Sequence, residues 1–201
     1  MKDFAARALN QAQMKGATYA DIRIVTRTMQ HIAVKNSIVE ALEQNESQGF
    51  GVRVIANGAW GFAASARVDM REIERVVAQA VAIARASALT KTRDVNLGAR
   101  IDTQGRYETP VARDPFLVPM EEKIGVLMKA DAEMRRVPGI KVARGEMEFQ
   151  REDKTFASSE GSYITQAIIE SGCGIVAMAS HLESGEIQVR SHPNAGGRNQ
   201  V

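Results

Sequence analysis

Residues 49–65, which read GFGVRVIANGAWGFAAS, decide the fold. An Asn57-Gly58 pair stands between two runs of strand-forming residues, and this dipeptide accepts the positive φ values that a two-residue hairpin turn requires. The stretch therefore predicts a β-hairpin whose register is set by the turn. The predicted cross-strand partners are Ala56 with Ala59, Val54 with Gly61, and Val52 with Ala63.

The two faces of this predicted hairpin carry side chains of different size. On one face, large apolar residues of the first strand lie opposite glycine and alanine, which leaves room for a helix to approach closely. The other face carries Arg53, Ile55, Trp60 and Phe62. The hairpin thus specifies a local fold and its packing, and by itself it indicates no function.

The composition excludes several classes of protein. The 201 residues are 44% hydrophobic and 25% charged, which is typical of a globular chain. A formal net charge of +2 is too balanced to favour nucleic acid or an anionic membrane as a direct partner. The lone Cys173 excludes an internal disulfide and suits a reducing compartment. No segment resembles a signal peptide or a membrane span, so we expect a soluble, cytoplasmic protein.

The segments before the hairpin predict one helix and several strands. Residues 2–15 have the spacing of an amphipathic helix, and Gly16 is a suitable stop. Three short strands follow, at 21–27, 31–35 and 38–43. Together with the hairpin they predict an antiparallel meander of about five strands.

The segment after the hairpin carries a strong helix-start pattern. Asp69 is the predicted N-cap, with Glu72 as its reciprocal capping partner, and Val68 and Ile73 have the spacing of a hydrophobic staple. One predicted buried face follows: Ile73, Val76, Val77, Ala80, Val81 and Ala84. We expect this helix to cover the small-residue face of the hairpin.

The second half predicts another helix and another set of strands. Residues 90–118 show no sustained period, so we interpret them as a long connection, and a helix is expected to begin at Pro119. The predicted strands lie at 140–150, 155–158, 163–181 and 186–191, with turns at Glu152-Asp153-Lys154 and Glu160-Gly161.

The predicted fold class is α/β of the α+β type, with antiparallel strand meanders and packed helices. We expect one domain over 1–192, with sub-lobes 1–89 and 119–192 joined by the connection 90–118. Residues 193–201 have the composition of a tail, or of the start of a linker to a further metal-binding domain.

The residues on their own indicate no complete active site. His31, His181 and His192 lack a second ligand at helical metal-binding spacing, so no zinc motif is present. His181 lies near Glu183 and Glu186, which leaves a ligand role open, but structural roles are favoured for all three histidines. Cys173 lies between two glycines, and we expect it to be a small buried residue and not a nucleophile.

The remaining polar clusters are explained by local structure. Residues 158–162 (SSEGS) have the composition of a turn, and Gly49-Phe50-Gly51 lacks the helix and the Gly-Lys-Ser element of a phosphate loop. The pairs Glu146/Glu148 and Glu183/Glu186 could be acid–base carboxylates, although solvated strand faces also account for them.

Several stretches, taken in order, resemble the N-terminal domain of the TldD/PmbA family of metallopeptidases, also called modulators of DNA gyrase. They are Asp21-Ile22-Arg23, 49–65, 156–161 (FASSEG), 186–191 (EIQVRS), Pro193 and Gly196-Gly197. They span nearly the whole chain, and the hairpin is closer to TldD than to PmbA (TldE).

The resemblance implies a zinc-dependent peptidase that cleaves unfolded or extended peptides and pairs with a PmbA/TldE-type chain or with itself. The TldD-type metal site is a His-Glu-x-x-x-His helix with a later cysteine, and this sequence contains no such helix. No catalytic, cofactor-binding or metal-binding residue is therefore carried over, and the 201-residue chain alone is expected to be inactive. Its implied role is to wall the substrate cleft and to contribute dimer contacts.

Alternatives from other classes remain at this stage. The chain could be a non-catalytic module that binds peptides or a partner protein, or a gyrase-associated regulator, although its balanced charge disfavours direct DNA contact. For peptide binding by strand addition, residues 155–191 are the first expected location.

Overall fold

The structure is a computed structural model that describes residues 1–181 and 184–192. Its elements, in chain order, are α1 (Lys2–Met14), β1 (Tyr19–Lys35), β2 (Ile38–Ala56), β3 (Ala59–Ser65), α2 (Met70–Ser87), β4 (Gln104–Glu108), a 3-10 turn (Pro115–Leu117), α3 (Met120–Arg135), β5 (Ile140–Ser158), β6 (Tyr163–Ser180) and β7 (Ile187–His192).

The strands of the described residues form one mostly antiparallel sheet. Its order is β3-β2-β1-β5-β6-β4, and β7 also pairs with β6. β4 runs parallel to β6, whereas β7 runs antiparallel to it. The predicted α+β class, with antiparallel strands and packed helices, is confirmed.

The predicted hairpin register is confirmed at each expected pair. Ala56 lies opposite Ala59, and the pairing continues through Val54 and Val52 to Phe50 opposite Ser65. Asn57 and Gly58 both have positive φ, as a type I′ turn requires. Asn36 and Ser37 also have positive φ and join β1 to β2.

The meander of five short strands was a wrong prediction. The expected strands 21–27 and 31–35 are parts of the single strand β1, and 38–43 is continuous with the first hairpin strand in β2. The intervening segments are polar but contain no proline, so nothing interrupts the backbone ladder.

The predicted turn at 152–154 was also wrong, because β5 passes straight through it. Glu152 accepts hydrogen bonds from Arg27 at 2.5 Å and from Lys154 at 3.2 Å, which keeps these charged side chains on an extended strand. The predicted turn at Glu160-Gly161 lies between β5 and β6, and Gly161 has a φ of 114°.

The predicted connection 90–118 contains the strand β4. Every residue of β4 is exposed, so the segment lacks the apolar alternation that marks a half-buried strand. Its partner is β6, with Gln104 opposite Tyr163. This parallel pairing joins residues far apart in sequence and has no local signature.

Two compact units divide the described fold, and each is built from separate segments. The first unit comprises Met1–Arg27, Ser47–Glu108 and Glu152–Ala167. The second comprises Thr28–Glu46, Thr109–Arg151 and the chain from Ile168 onward. The expected division into sub-lobes 1–89 and 119–192 stays a prediction, and the expected tail 193–201 lies outside the described residues.

In the first unit, α1 and α2 pack on one face of the sheet. The Phe4 and Phe50 rings meet edge to face, with centroids 5.1 Å apart. The prediction that α2 covers the small-residue face of the hairpin is confirmed at Gly61. A Cβ at Gly61 would lie 2.0 Å from the carbonyl oxygen of Ala80, so helix and strand touch backbone to backbone.

The start of α2 matches its predicted cap in one respect and differs in another. The Asp69 carboxylate accepts hydrogen bonds from the backbone N–H groups of Arg71 and Glu72, as expected. The reciprocal bond was a wrong prediction, because the buried Glu72 carboxylate instead accepts from Ser65 at 2.7 Å and from Arg67 and Arg75 at 2.6 Å.

In the second unit, α3 packs against an apolar cluster. Its buried members are Ile32, Val34, Leu127 and Phe149. Met120, Ile124 and Met128 of α3 and Met147 of β5 contribute partly buried contacts to this core. No helix of the described residues is long and apolar enough to cross a bilayer.

Candidate functional site

The strand β3 is the terminal strand of the sheet path. Its neighbour on one side is β2, and no strand of the described residues pairs with its other side. An open edge presents backbone N–H and C=O groups with no partner in the ladder, and it can accept a further strand.

The hairpin register determines which residues face this open edge. Ala56 and Ala59 flank the two-residue turn and form a hydrogen-bonded pair. Hydrogen-bonded and non-hydrogen-bonded pairs alternate along an antiparallel ladder. The backbone groups that point away from β2 are therefore those of Trp60, Phe62 and Ala64.

Phe62 is the most exposed aromatic side chain along this edge. Its relative exposure is 55%. A Cβ on Gly51 would lie 2.8 Å from Cε2 of Phe62, so the phenyl ring lies over the bare backbone of Gly51. The hairpin thus presents an aromatic surface next to unpaired backbone groups.

A groove of about 500 Å³ adjoins Phe62, and we call it the hairpin groove. Its lining is rich in glycine, alanine and serine, whose small side chains leave space within the groove. The residues that line it are Asp21, Arg23, Val25, Arg27, Ser47, Gln48, Gly49, Phe50, Gly51, Phe62, Ala64, Ser65 and Ala66. Such a concave, partly apolar surface with a few charged groups is typical of a binding site.

Two arginines of β1, Arg23 and Arg27, also line the groove. The Arg23 guanidinium lies over the Phe156 ring, 5.3 Å from its centroid, and the Arg27 guanidinium donates a hydrogen bond to Glu152 at 2.5 Å. Both side chains are about half exposed. They therefore keep donor groups accessible to a ligand that carries carbonyl or carboxylate oxygens.

An ion pair between a buried carboxylate and a partly exposed arginine joins β1 to the hairpin beside the groove. Asp21 is 1% exposed and accepts hydrogen bonds from Nε and Nη2 of Arg53 at 2.8 Å and 2.7 Å. The Arg53 guanidinium also lies over the Trp60 ring, 4.6 Å from its centroid. Burial and then the Asp21 carboxylate raise the pKa of Tyr19 to about 12. This network fixes the position of Trp60 on the open edge.

These groups are suited to binding, not to bond cleavage. The edge supplies alternating backbone donors and acceptors, Phe62 supplies apolar surface, and the arginines supply positive charge. The open edge is complementary to the backbone of an extended polypeptide, which is the general partner in strand addition.

Comparison with known families identifies the chain. The sequence model described as "PmbA/TldA metallopeptidase domain 1" matches residues 20–84, and the model described as "PmbA/TldA metallopeptidase central domain" matches residues 113–197. The chain belongs to the PmbA/TldD family. The resemblance inferred from the sequence is confirmed, and the family is one of metallopeptidases.

Curated relatives of this PmbA/TldD chain are named metalloproteases. The chain is 27% identical to one from Methanocaldococcus jannaschii over 161 residues, which are 77% of this chain and 35% of the relative. It is 28% identical to one from Methanothermobacter thermautotrophicus over 181 residues, which are 89% of this chain and 37% of the relative. The chain thus spans about a third of the length of these relatives.

Solved structures share the fold of this PmbA/TldD chain at low identity. A protein from Thermotoga maritima described as a modulator of DNA gyrase superposes with a TM-score of 0.79 at 14% identity, covering 99% of this chain and 44% of that one. TldE from Thermococcus kodakarensis superposes with a TM-score of 0.69 at 11% identity, covering 96% and 42%. These likenesses establish the fold.

The family name implies a metal, but the described part of this PmbA/TldD chain does not fit one. Within residues 1–181 and 184–192, no three His, Cys, Asp or Glu side chains gather where they could hold an ion. The hairpin groove contributes a single carboxylate, Asp21, and Arg53 already occupies it. We therefore derive no chemical step through a metal at these residues.

The structure does not bring the histidine and cysteine candidates together. His31 lies within β1, His192 ends β7, and Nδ1 of His181 lies 3.2 Å from the Ser184 hydroxyl. Glu183 lies outside the described residues. Cys173 is exposed, so its predicted burial was wrong. It lies within β6, on a face of the strand that leaves its side chain exposed.

The serine and glutamate candidates have structural partners. In the 158–162 turn, the Ser162 hydroxyl donates to the carbonyl oxygen of Ile101 at 2.9 Å, and the Ser159 hydroxyl accepts from the N–H of Ala20 at 3.0 Å. Glu146 pairs with Arg144 at 3.5 Å on β5. These contacts fit the solvated-face and turn interpretations.

The strands at 155–191, our first expected location for peptide addition, are largely paired. β4 pairs with β6 from Tyr163 to Ala167, and β7 pairs with it from Ile175 to Ser180. Sequence reasoning missed the open edge of β3 and the Asp21–Arg53 pair. The one available signal was Phe62, a large aromatic residue on the hairpin face opposite the helix, and a single exposed apolar residue is a weak signal.

Proposed function

We propose that this chain forms the N-terminal, substrate-cleft and dimerisation domain of a TldD-type zinc metallopeptidase that cleaves unfolded or extended peptides. The observation that carries the proposal is the match to domain 1 and the central domain of the family, in order along one chain. The open edge of β3 supports the substrate class, since strand addition reads a peptide backbone independently of its sequence.

The chain contributes binding and no catalytic residue in this proposal. Zinc and the groups that hold it belong to a further part of the protein, where the metal would supply a Lewis acid and an activated water. Residues 1–201 alone are then inactive. The role of the β3 edge and the hairpin groove is to hold the substrate backbone extended.

The proposed partners follow from the same family relation. We expect a PmbA/TldE-type chain or a second copy as the dimer partner, with an unfolded polypeptide as substrate, in the cytoplasm. The named TldE from Thermococcus kodakarensis shares the fold and supports a related pairing partner. Neither nucleic acid nor a membrane is a direct partner in this proposal.

The coding frame tests the catalytic part. The protein expressed contains residues 1–201 together with all residues that the same reading frame encodes after Val201. It is incubated with a reduced, unfolded polypeptide, with and without added zinc or a chelator. Chelator-sensitive cleavage that zinc restores, together with inactivity of residues 1–201, supports the proposal. A stop codon after Val201, or cleavage insensitive to chelator, contradicts it.

A pair of proline variants tests peptide binding at the open edge. Ala64→Pro removes an N–H that points away from β2, so the hairpin should survive while strand addition is blocked. Ala63→Pro removes a ladder N–H and should destabilise the hairpin, because proline cannot donate the hydrogen bond to β2. Binding of a labelled extended peptide is measured by fluorescence anisotropy. Unchanged binding by a folded Ala64→Pro variant contradicts the role of the edge.

The second candidate is a non-catalytic module that binds a peptide or a partner protein. The same β3 edge supports it, because strand addition needs no catalytic group. A stop codon directly after Val201 combined with tight peptide binding favours this alternative.

A further inference from the structure

A second pocket, in the unit that contains α3, has a buried lysine in its wall. The pocket has a volume of about 240 Å³. It is lined by Arg113, Pro115, Val118, Glu122, Lys123, Val126, Met147, Phe149 and Ser171. We call it the Lys123 pocket. Most of its wall is apolar, and its charged members are two cations and one anion.

Lys123 is 4% exposed and has no ion pair with any carboxylate of residues 1–181 and 184–192. Its ammonium donates a hydrogen bond to Oε1 of Gln30 and lies 4.4 Å from the centroid of the Phe149 ring. The other end of the Gln30 amide donates to Oε1 of Gln44 at 3.0 Å, which fixes the amide orientation. Only neutral groups therefore hold this buried cation.

The nearby charged residues are already paired with each other. Asp114 accepts from the N–H of Phe116 at 2.8 Å through one oxygen and from Arg151 through the other. Arg113 and Glu122 form a two-bond pair at 2.8 Å for each contact. Among the described residues, Lys123 is thus the one charged side chain of the pocket wall that has no ion-pair partner.

An isolated buried ammonium is costly unless an anion or a functional role compensates for it. Burial lowers the pKa of Lys123, and the charge of Asp114 only partly opposes this effect. If this position had only a structural role, methionine would fill the same space at a lower free-energy cost, because it carries no charge. The adjoining cavity supplies room for the missing anion.

We propose that the Lys123 pocket binds a monocarboxylate with an aliphatic body, of the kind found at the C-terminal residue of a peptide. The carboxylate would accept from the ammonium of Lys123, and the aliphatic body would contact Val118, Val126 and Met147. The site is separate from the β3 edge, and its binding is independent of whether the chain is part of a peptidase.

Three probes test whether the pocket recognises a carboxylate and whether that carboxylate belongs to a peptide or to a small free acid. They are N-acetyl-leucine, its uncharged analogue N-acetyl-leucinamide, and 4-methylpentanoate, a free carboxylic acid that lacks the amide. Each is titrated into the full 201-residue chain and followed by NMR of the side-chain signals of Lys123 and Met147. N-acetyl-leucine should bind about tenfold or more tightly than the amide, since a charge-assisted hydrogen bond is lost with the carboxylate.

The relative affinity of the two carboxylates identifies the source of the ligand. Tighter binding of N-acetyl-leucine than of 4-methylpentanoate supports a peptide C-terminus, whereas equal affinity supports a small free acid. Both results sustain the carboxylate site. Equal binding of N-acetyl-leucine and its amide, or binding of neither, overturns the proposal.

Two methionine variants on α3 give the matched control. Lys123→Met removes the buried charge at similar volume but leaves Oε1 of Gln30 without its donor, so its fold is first confirmed by circular dichroism, and it should then lose about tenfold or more in affinity for N-acetyl-leucine. Lys129→Met changes an exposed lysine on the same helix and should leave the affinity unchanged. Full binding by a folded Lys123→Met variant contradicts the assignment, whatever the result of the peptidase assay.

Discussion

Buried charges with different partners carry much of the specific information in this chain. Asp21 is neutralised by Arg53, Glu72 is held by Ser65 and two arginines, and Lys123 has neutral partners alone. The environments of Asp21 and Lys123 could not be predicted from local sequence, because a charged residue is exposed by default and the partners of these two, Arg53 and Gln30, lie far away in the chain. The partners of Glu72 all lie within seven residues of it, but the capping-box pattern predicted a different bond for its carboxylate. Asp21 was noticed only as part of a family motif.

Replacing Asp21 should change the titration of Tyr19. In Asp21→Asn the pKa of Tyr19 should fall from about 12 but remain above its ordinary value of 10.0, because burial, the larger cause, persists while the carboxylate is removed. The tyrosinate absorbance is followed during alkaline titration, and a Tyr19→Phe variant identifies the relevant signal among the three tyrosines. An unchanged Tyr19 titration would show that Asp21 does not act on the phenol.

Glu72 should contribute an acid-sensitive part of stability. The hydrogen bonds from Arg75, then Ser65 and Arg67, lower the pKa of Glu72 from 4.5 to about 2. The charged carboxylate therefore stabilises the fold above pH 4.5, and this contribution is lost as the pH falls through about 2. Glu72→Gln should lack this acid dependence in urea unfolding measured at several pH values. A variant that follows the unsubstituted chain throughout that range would refute the assignment.

Elements were predictable where their signals are local. The Asn57-Gly58 turn, the Asp69 cap with the spacing of α2, and Pro119 at the start of α3 are short-range patterns, and each predicted its element. Strand ends were less predictable, because charged residues such as those at 152–154 suit either a turn or an extended strand. The strand β4 was missed because its pairing with β6 is parallel and long-range.

A pair of glycine variants tests the contact between α2 and the hairpin. Gly61→Ala should destabilise the fold by about 3 kcal/mol, because the new methyl group collides with the backbone at Ala80 and cannot be accommodated by a rotamer change. Gly125→Ala, in α3 with nothing near the added Cβ, should stabilise by about 0.5–1 kcal/mol. Both changes are measured by urea unfolding. A neutral Gly61→Ala result would contradict the backbone-to-backbone packing.

At the scale of the whole molecule, the balanced charge predicts that this chain does not bind DNA directly. Its 26 basic and 24 acidic residues leave a formal net charge of only +2, which is too small an excess to release many counterions from a duplex. Titration of a labelled duplex at about 0.15 M salt, followed by anisotropy, should show no binding. An affinity that falls steeply with added salt would instead restore the nucleic-acid alternative.

The segment order of the first unit has a consequence for synthesis on the ribosome. That unit includes Glu152–Ala167, which is made only after Thr109–Arg151 of the second unit. Until β5 emerges, β1 has a vacant edge, and β4 has no partner before β6. Chains grow from the N-terminus, so the nascent protein carries unpaired strand edges over this interval and is exposed to misassociation. A chain that ends before residue 152 would therefore lack a segment of each unit and should complete neither of them. This holds even though the match to the first family domain already ends at residue 84.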